Sequence, residues 1–244
     1  MEKYEPTMSF DEDAAEVYDD NTQRGDEMAT VAFLEQLALG GPALELAIGT
    51  GRIALPLAAQ GIRVDGIDLS SAMVAKLRAK PGGAQIVVTM GDFADVAVPG
   101  AYSLIYVVFN TLFNLLTQDE QVRCFENVAA HLTEDGSFVV EGAVPADFYR
   151  LRNNQYVDLE TIGVDHIRFD VARHDPVRQL LEESHVTLSS TGVHLNPIVT
   201  RYAWPAELDL MARIAGLRLK ERWAGWSREP FTSTSSNCVS VYGH

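Results

Sequence analysis

The most constraining stretch of this 244-residue chain is Ala43-Leu-Glu-Leu-Ala-Ile-Gly-Thr-Gly51. A short apolar run with one acid, Glu45, meets a turn of Gly49, Thr50 and Gly51, and helix-forming residues occupy 52–60. An apolar run that enters a glycine turn and leaves as a helix is the opening unit of a strand–turn–helix alternation. Small residues let the backbone pass close to a ligand, and a helix start leaves amide donors free. The same turn also serves as a tight connection with no ligand, so it carries weight only together with the segments downstream of it.

Residues 63–90 repeat the rhythm. The stretch 63–69 reads as a second strand, and Ser70 reads as the N-cap of a helix reaching Lys80. Pro81-Gly82-Gly83 stops that helix, and 85–90 form a third strand. The run 103–109 is almost continuously Leu, Ile, Tyr and Val, as in a central parallel strand buried on both faces. Thr117-Gln118-Asp119-Glu120 has capping-box form and opens a helix with Val122, Phe125, Ala129 and Leu132 on one face. Asp135-Gly136 turns into a fifth strand over 137–141. Upstream, 11–39 read as helical, broken at Gly25 and ended by Gly40-Gly41-Pro42. Pro56 limits the helix after the glycine turn.

Past Pro145 the texture changes. Ile167, Phe169 and Val171 alternate with Arg168 and Asp170, and Val186 and Leu188 alternate with His185 and Thr187. That period predicts antiparallel strands with one polar face. A helix over 206–215 and strands over 217–223 and 237–242 bring the chain back to its sheet. The expectation is one α/β domain over 1–244, a Rossmann-like doubly wound seven-stranded sheet, with a small antiparallel β cap inserted at 146–202.

Three acids stand at strand ends beside the glycine turn. Asp68 ends the second strand, where an acid can take both hydroxyls of a ribose. Asp92, in Gly91-Asp92-Phe93, comes after the third strand and can accept from an exocyclic amine, with Phe93 stacking on a purine. Glu45 precedes the turn and can bond the loop or an ammonium group.

With these residues in view, the sequence resembles the class I S-adenosylmethionine-dependent methyltransferases. The likeness rests on 45–52 (Glu-Leu-Ala-Ile-Gly-Thr-Gly-Arg), 65–70 (Asp-Gly-Ile-Asp-Leu-Ser), 90–93 (Met-Gly-Asp-Phe) and the strand 102–111. It extends from Tyr18 to Tyr242, and Glu182-Glu-Ser-His185 is similar to a run in bacterial sugar N-methyltransferases. The resemblance implies S-adenosylmethionine as cofactor. It implies that Tyr18 closes over it, that Glu45 supports the loop and the amino-acid end, and that Ala47, Gly49 and Gly51 allow close backbone approach. Arg52 belongs to the same binding motif. Asp68 is assigned to the ribose, Leu69 and Met73 to the adenine's side, Asp92 and Phe93 to the adenine, and Phe109 and Asn110 to the methionine end. Two positions depart from the family. Ala47 stands where glycine is usual, which alanine can satisfy if its backbone stays in an ordinary region. Asn114 stands where the sugar enzymes often carry His or Tyr, which leaves the acceptor open.

Catalytic candidates are few. His185 and Tyr202 lie in the segment expected to cover the pocket; with Asn114 they are the candidate acceptor residues, and no metal ligand set is readable. His131 ends a helix, His166 shares a polar face with Arg168, and His174 and His194 fall in turn-like stretches. Trp204, Trp223 and Trp226 read as packing, Cys124 as core and Cys238 as strand-buried. Two other classes stay open on the residues alone. Gly49-x-Gly51-x-x-Ala54 also fits the fingerprint of an NAD(P)-dependent oxidoreductase, with Asp68 as its ribose acid. The chain could also be a non-catalytic cofactor-binding module.

Charge narrows the acceptor. Lys and Arg number 19 against 34 Asp and Glu, a net charge of −15. Such a balance gives no electrostatic reason to bind nucleic acid or anionic lipid and favours a small neutral or cationic molecule. Two lone cysteines suit a reducing, cytoplasmic setting, 1–10 lack the apolar run of a leader, and no stretch is long enough to span a membrane. Oligomeric state is left open, a homodimer being one option.

Overall fold

The computed structural model describes residues 4, 6–22, 24–95 and 97–244. The leader reading of 1–10 therefore lies partly outside the described residues. Two helices come first, α1 (Glu12–Asn21) and α2 (Glu27–Ala38), with the break at Gly25 between them. Next along the chain are β1 (Ala43–Leu46), α3 (Ala54–Ala59), β2 (Val64–Asp68), α4 (Ser71–Ala79), β3 (Val87–Met90), β4 (Tyr102–Val107), α5 (Gln118–His131) and β5 (Leu132–Ala143). The Ser70 hydroxyl accepts the Met73 N–H at the start of α4, and Thr117 and Glu120 form the full capping box of α5.

After β5 come β6 (Gln155–Ile162), β7 (His166–Asp175), β8 (Leu180–Ser189), β9 (Gly192–Arg201), α6 (Pro205–Ile214), β10 (Arg218–Trp223) and β11 (Asn237–Gly243). The main sheet runs β10-β11-β5-β4-β1-β2-β3. The pairs β1–β2, β2–β3, β1–β4 and β4–β5 are parallel, and β11 is antiparallel to both β5 and β10. Strand order reverses between β1 and β4, which opens a crevice beyond their C-terminal ends, the place where such sheets bind ligands.

β4 is the middle strand, and the reading of 103–109 as buried on both faces holds for Leu104, Ile105, Tyr106 and Val107, each 0% exposed. Successive side chains point to opposite faces. Ile105 and Val107 join a core with Phe125 and Phe138, while Leu104 and Tyr106 join another with Phe33 and Leu57. Each such side chain contributes about 1.5–3 kcal/mol of burial, so β4 pins both layers and fixes where its C-terminal end points.

The structure corrects three local readings. The chain passes from α5 straight into β5, and the Asp135-Gly136 turn is a register shift within that strand: Tyr102 pairs with Leu132, but Leu104 pairs with Ser137. The second sheet, β6-β7-β8-β9, is antiparallel with four strands, two more than the alternation had marked. His174 and His194, expected in turns, lie in β7 and β9. Cross-strand register puts Asp170, Ala172 and His174 on one face with His185, Glu183 and Leu181. The other face carries Val157, Leu159, Phe169, Val171 and Val186, and an open trough of about 1040 Å³ runs between it and Leu116 and Thr117.

Among the described residues, no helix is long and apolar enough to cross a membrane. Cys124 and Cys238 are both buried, and Trp226 is buried in the layer that holds Phe33.

Candidate active site

The glycine turn sits at the crevice. Ile48 donates its N–H to the Ile67 carbonyl at 3.0 Å, and the Gly51 N–H returns to the Ile48 carbonyl at 3.0 Å. Three residues in this turn have left-handed backbone, with φ of +55° at Ala47, +56° at Gly49 and +77° at Gly51. Alanine therefore occupies a conformation that costs a non-glycine residue roughly 1–2 kcal/mol. This corrects the expectation that Ala47 keeps an ordinary backbone. The strain is held in place by the bonds of its neighbours to β2. A Cβ on Gly51 would lie 2.3 Å from Leu77 Cδ1, so that glycine serves the packing of turn on helix. A Cβ on Gly49 would meet only Met73 Cε, at 3.4 Å, leaving its backbone open on the crevice side.

Asp68, at the end of β2, is 8% exposed. Its Oδ2 accepts the Gly49 N–H at 2.7 Å and its Oδ1 accepts the Ser70 N–H at 2.7 Å. Burial pushes its carboxyl up, and these backbone donors pull it back toward the ionised form. The Leu69 N–H also acts on this carboxyl in the same sense. Gly91 N–H bonds the Asp68 carbonyl at 2.9 Å, which draws the ends of β2 and β3 together. Asp92 is half-buried there and accepts the Ala94 N–H at 2.8 Å. Phe93 is buried among core residues, Met73 is buried, and Leu69 is 45% exposed.

Glu45 pairs in register with Tyr106 across β1 and β4, and the Tyr106 hydroxyl donates to Glu45 Oε2 at 3.0 Å. Burial pushes this carboxyl up to about 8, against the pull of the Tyr106 hydrogen bond and of Arg52. Tyr18, Glu45, Ala47, Gly49, Arg52 and Phe109 line one cavity. Arg52 stacks its guanidinium 4.5 Å from the Phe109 ring centre and pairs with Glu27 at 3.2 Å. The helix α1, carrying Tyr18, is tied over the turn. Asp19 accepts from the Thr50 hydroxyl and pairs with Lys80, whose Nζ also donates to the Thr50 carbonyl at 2.8 Å.

The chain leaves β4 through Phe109 and Asn110, both at φ +61°. Phe109 N–H donates to Glu141 Oε2 at 2.6 Å, and Asn110 Oδ1 accepts the Ala143 N–H at 2.6 Å. Sequence reasoning missed Glu141, Arg24, Asp19 and Tyr106. Only Tyr106 left a signal, since parallel pairing of the two strands sets it opposite Glu45.

The acceptor candidates do not converge. Asn114 is half-buried at the end of a short 3-10 turn (Thr111–Asn114). His185 is on β8, its Nδ1 2.6 Å from Asp170 Oδ1, in a polar cluster where Arg168 pairs with Glu160 at 3.4 Å. Tyr202 is 2% exposed; its hydroxyl lies 2.7 Å from His174 Nε2 and donates to the Tyr149 hydroxyl at 2.9 Å. His174, also buried, has its basicity lowered by desolvation. None of the three candidates is among the described residues lining the glycine-turn cavity.

A doubly wound sheet with a glycine turn, strand-end acids and a cavity at the reversal of strand order defines a protein that binds a nucleoside cofactor. The donor chemistry is specific: a carboxyl and a guanidinium at one cavity, then carboxylates along two strand ends. That set suits a molecule with an ammonium, a carboxylate, a ribose diol and an adenine amine. Residues 43–136 match the methyltransferase domain family. Over its whole length the chain is similar to the CcbJ methyltransferase from Streptomyces caelestis, at 39% identity and a TM-score of 0.92, covering 98% of this chain and 99% of that one. It is 26% identical over 202 residues to the cypemycin N-terminal methyltransferase of a Streptomyces species, 83% of this chain and 82% of the relative. Over 98 residues it is 34% identical to the dTDP-3-amino-3,6-dideoxy-alpha-D-glucopyranose N,N-dimethyltransferase of Streptomyces fradiae, 40% of this chain and 38% of the relative. The chain belongs to the S-adenosylmethionine-dependent methyltransferases. It is an enzyme of that class, and the oxidoreductase reading finds no support among these relatives.

Proposed function

We propose that this enzyme methylates an amine nitrogen of a small natural-product molecule, with the cofactor seated at the glycine turn. Bound S-adenosylmethionine supplies a methyl group already activated on a sulfonium. The residues then have to bind and orient. In this reading Asp68 takes the ribose hydroxyls, Asp92 the adenine amine with Leu69, Met73 and Phe93 around it, and Glu45 and Arg52 the ammonium and carboxylate. Tyr18 closes the cavity from above, and Phe109 and Asn110 form its wall at the reacting end. The segment holding β6–β9 is the acceptor cap of a single domain.

One observation carries the choice of nitrogen. Among the described residues no histidine lines the cavity, and its one buried carboxyl, Glu45, is already engaged by Tyr106. A hydroxyl acceptor needs a base at the reacting oxygen, whereas an amine bound in its neutral form needs only positioning. The name of one relative, an N,N-dimethyltransferase, also carries methylation at nitrogen. The test is incubation with S-adenosylmethionine and paired amine and hydroxyl acceptors of one scaffold, read by mass spectrometry. Methylation of the amine alone supports the reading; methylation of the hydroxyl alone defeats it.

A hydroxyl acceptor is the second reading, favoured by Tyr202. Its phenol joins buried His174 to Tyr149, which is 51% exposed. With the Tyr202 O–H turned from Tyr149 to His174 Nε2, and the imidazole protonated at Nδ1, that chain of hydroxyls can carry a proton inward to a neutral imidazole. On this reading Tyr202→Phe abolishes turnover; on the first it leaves turnover within a few-fold.

A further inference from the structure

Glu141 is a carboxylate on β5 that is only 2% exposed, and it is engaged from three sides. Oε2 accepts the Phe109 N–H at 2.6 Å. Oε1 pairs with Arg24 at 2.7 Å and lies 3.4 Å from the Asn237 side-chain amide. These partners come from the end of β4, from the segment after α1, and from β11. Phe109 is one of two consecutive non-glycine residues with left-handed backbone, and its ring lines the cavity. Conformations of that kind persist only where surrounding bonds enforce them. Arg24, for its part, lies with its guanidinium 5.1 Å from the centre of the same ring.

We propose that Glu141 is a positioning residue of the methyl-transfer site. Through one oxygen it holds the strained Phe109–Asn110 turn, and through the other it anchors Arg24 and the N-terminal segment beside the cavity. A buried carboxylate so placed links the wall of the site to the segment that covers it. The proposal rests on the reading of this cavity as the cofactor site.

The two oxygens give separable tests in the full-length protein, with S-adenosylmethionine as the calorimetric ligand and amide hydrogen exchange at Phe109 as the second readout. Glu141→Gln keeps an oxygen for the Phe109 N–H but loses the ion pair. It weakens S-adenosylmethionine binding at least fivefold, with exchange at Phe109 within threefold of wild type. Arg24→Ala gives the same pair of results, and the double variant binds no more weakly than either single. Glu141→Ala also speeds exchange at Phe109 at least thirtyfold, which a loss of packing alone does not confine to one amide. Wild-type affinity in Glu141→Gln, additive losses in the double variant, or a protected Phe109 amide in Glu141→Ala overturns the proposal. Where Glu141→Ala does not fold, the cycle of Glu141→Gln with Arg24→Ala decides alone. A wild-type protein that binds no S-adenosylmethionine defeats the cofactor reading together with this one. Normal wild-type binding with undisturbed variants defeats this one only.

Discussion

Single residues carry most of the strain and most of the charge at this site. Ala47 holds φ +55° where glycine would rest without steric cost. Replacing it with glycine relieves the left-handed penalty but loosens the unfolded chain, a net gain of about 0.5 kcal/mol. Thermal unfolding checks this: Ala47→Gly should melt one to two degrees higher, roughly. Glu45 is pushed up to about 8 by burial, so it is mostly protonated at neutral pH. An acid raised in the fold costs stability as pH climbs from its ordinary range toward 8, because the unfolded chain ionises first. An ammonium brought beside it reverses that shift. Cofactor binding near pH 7 should therefore release a proton, seen as a binding enthalpy that varies with the buffer's ionisation heat. Glu45→Gln should abolish that dependence. The strand-end acids and the glycines were legible in the sequence, since their chemistry comes from residue type at a strand end. The left-handed Ala47, Phe109 and Asn110 were not, because their conformation is imposed by bonds from β2 and β5, far off in sequence.

The elements show the same division. The strand–helix rhythm, the Ser70 N-cap and the capping box of α5 are local signals and appear where the pattern put them. β6 and β9 are the outer strands of the second sheet. Pro197 interrupts the alternation of β9, which an edge strand tolerates because one side needs no N–H ladder. Its carbonyl is used instead by the Ser9 hydroxyl. The tie between α1 and the glycine turn was equally unreadable, since Asp19, Thr50 and Lys80 meet only in three dimensions. Lys80→Ala cuts that tie at a partly exposed position, where an ion pair is worth about 1 kcal/mol or less to stability. Stopped-flow displacement should show S-adenosylmethionine leaving about fivefold faster, with the fold intact by circular dichroism. At the scale of the second sheet, bridging residues 149–200 with a short linker should spare cofactor binding and abolish turnover on the native acceptor. Retained turnover would refute the cap role.

The whole molecule joins a seven-stranded sheet to a four-stranded one, and its net charge of −15 lies mostly outside the crevice. Of 34 acids, Glu45, Asp68, Asp92 and Glu141 stand on or beside the strands at the crevice, and the last three each accept a backbone N–H. The overall field still favours a cationic or neutral acceptor over a polyanion. Everything proposed for the molecule depends on the crevice between β1 and β4 being the cofactor site, with Asp68 as its ribose ligand. Calorimetric titration of S-adenosylhomocysteine into wild type and Asp68→Ala tests that assignment most directly. The predicted result is one site per chain in the wild type and binding at least tenfold weaker in the variant, about 1.4 kcal/mol. Equal affinity in the two proteins, with Asp68→Ala folded, would contradict it.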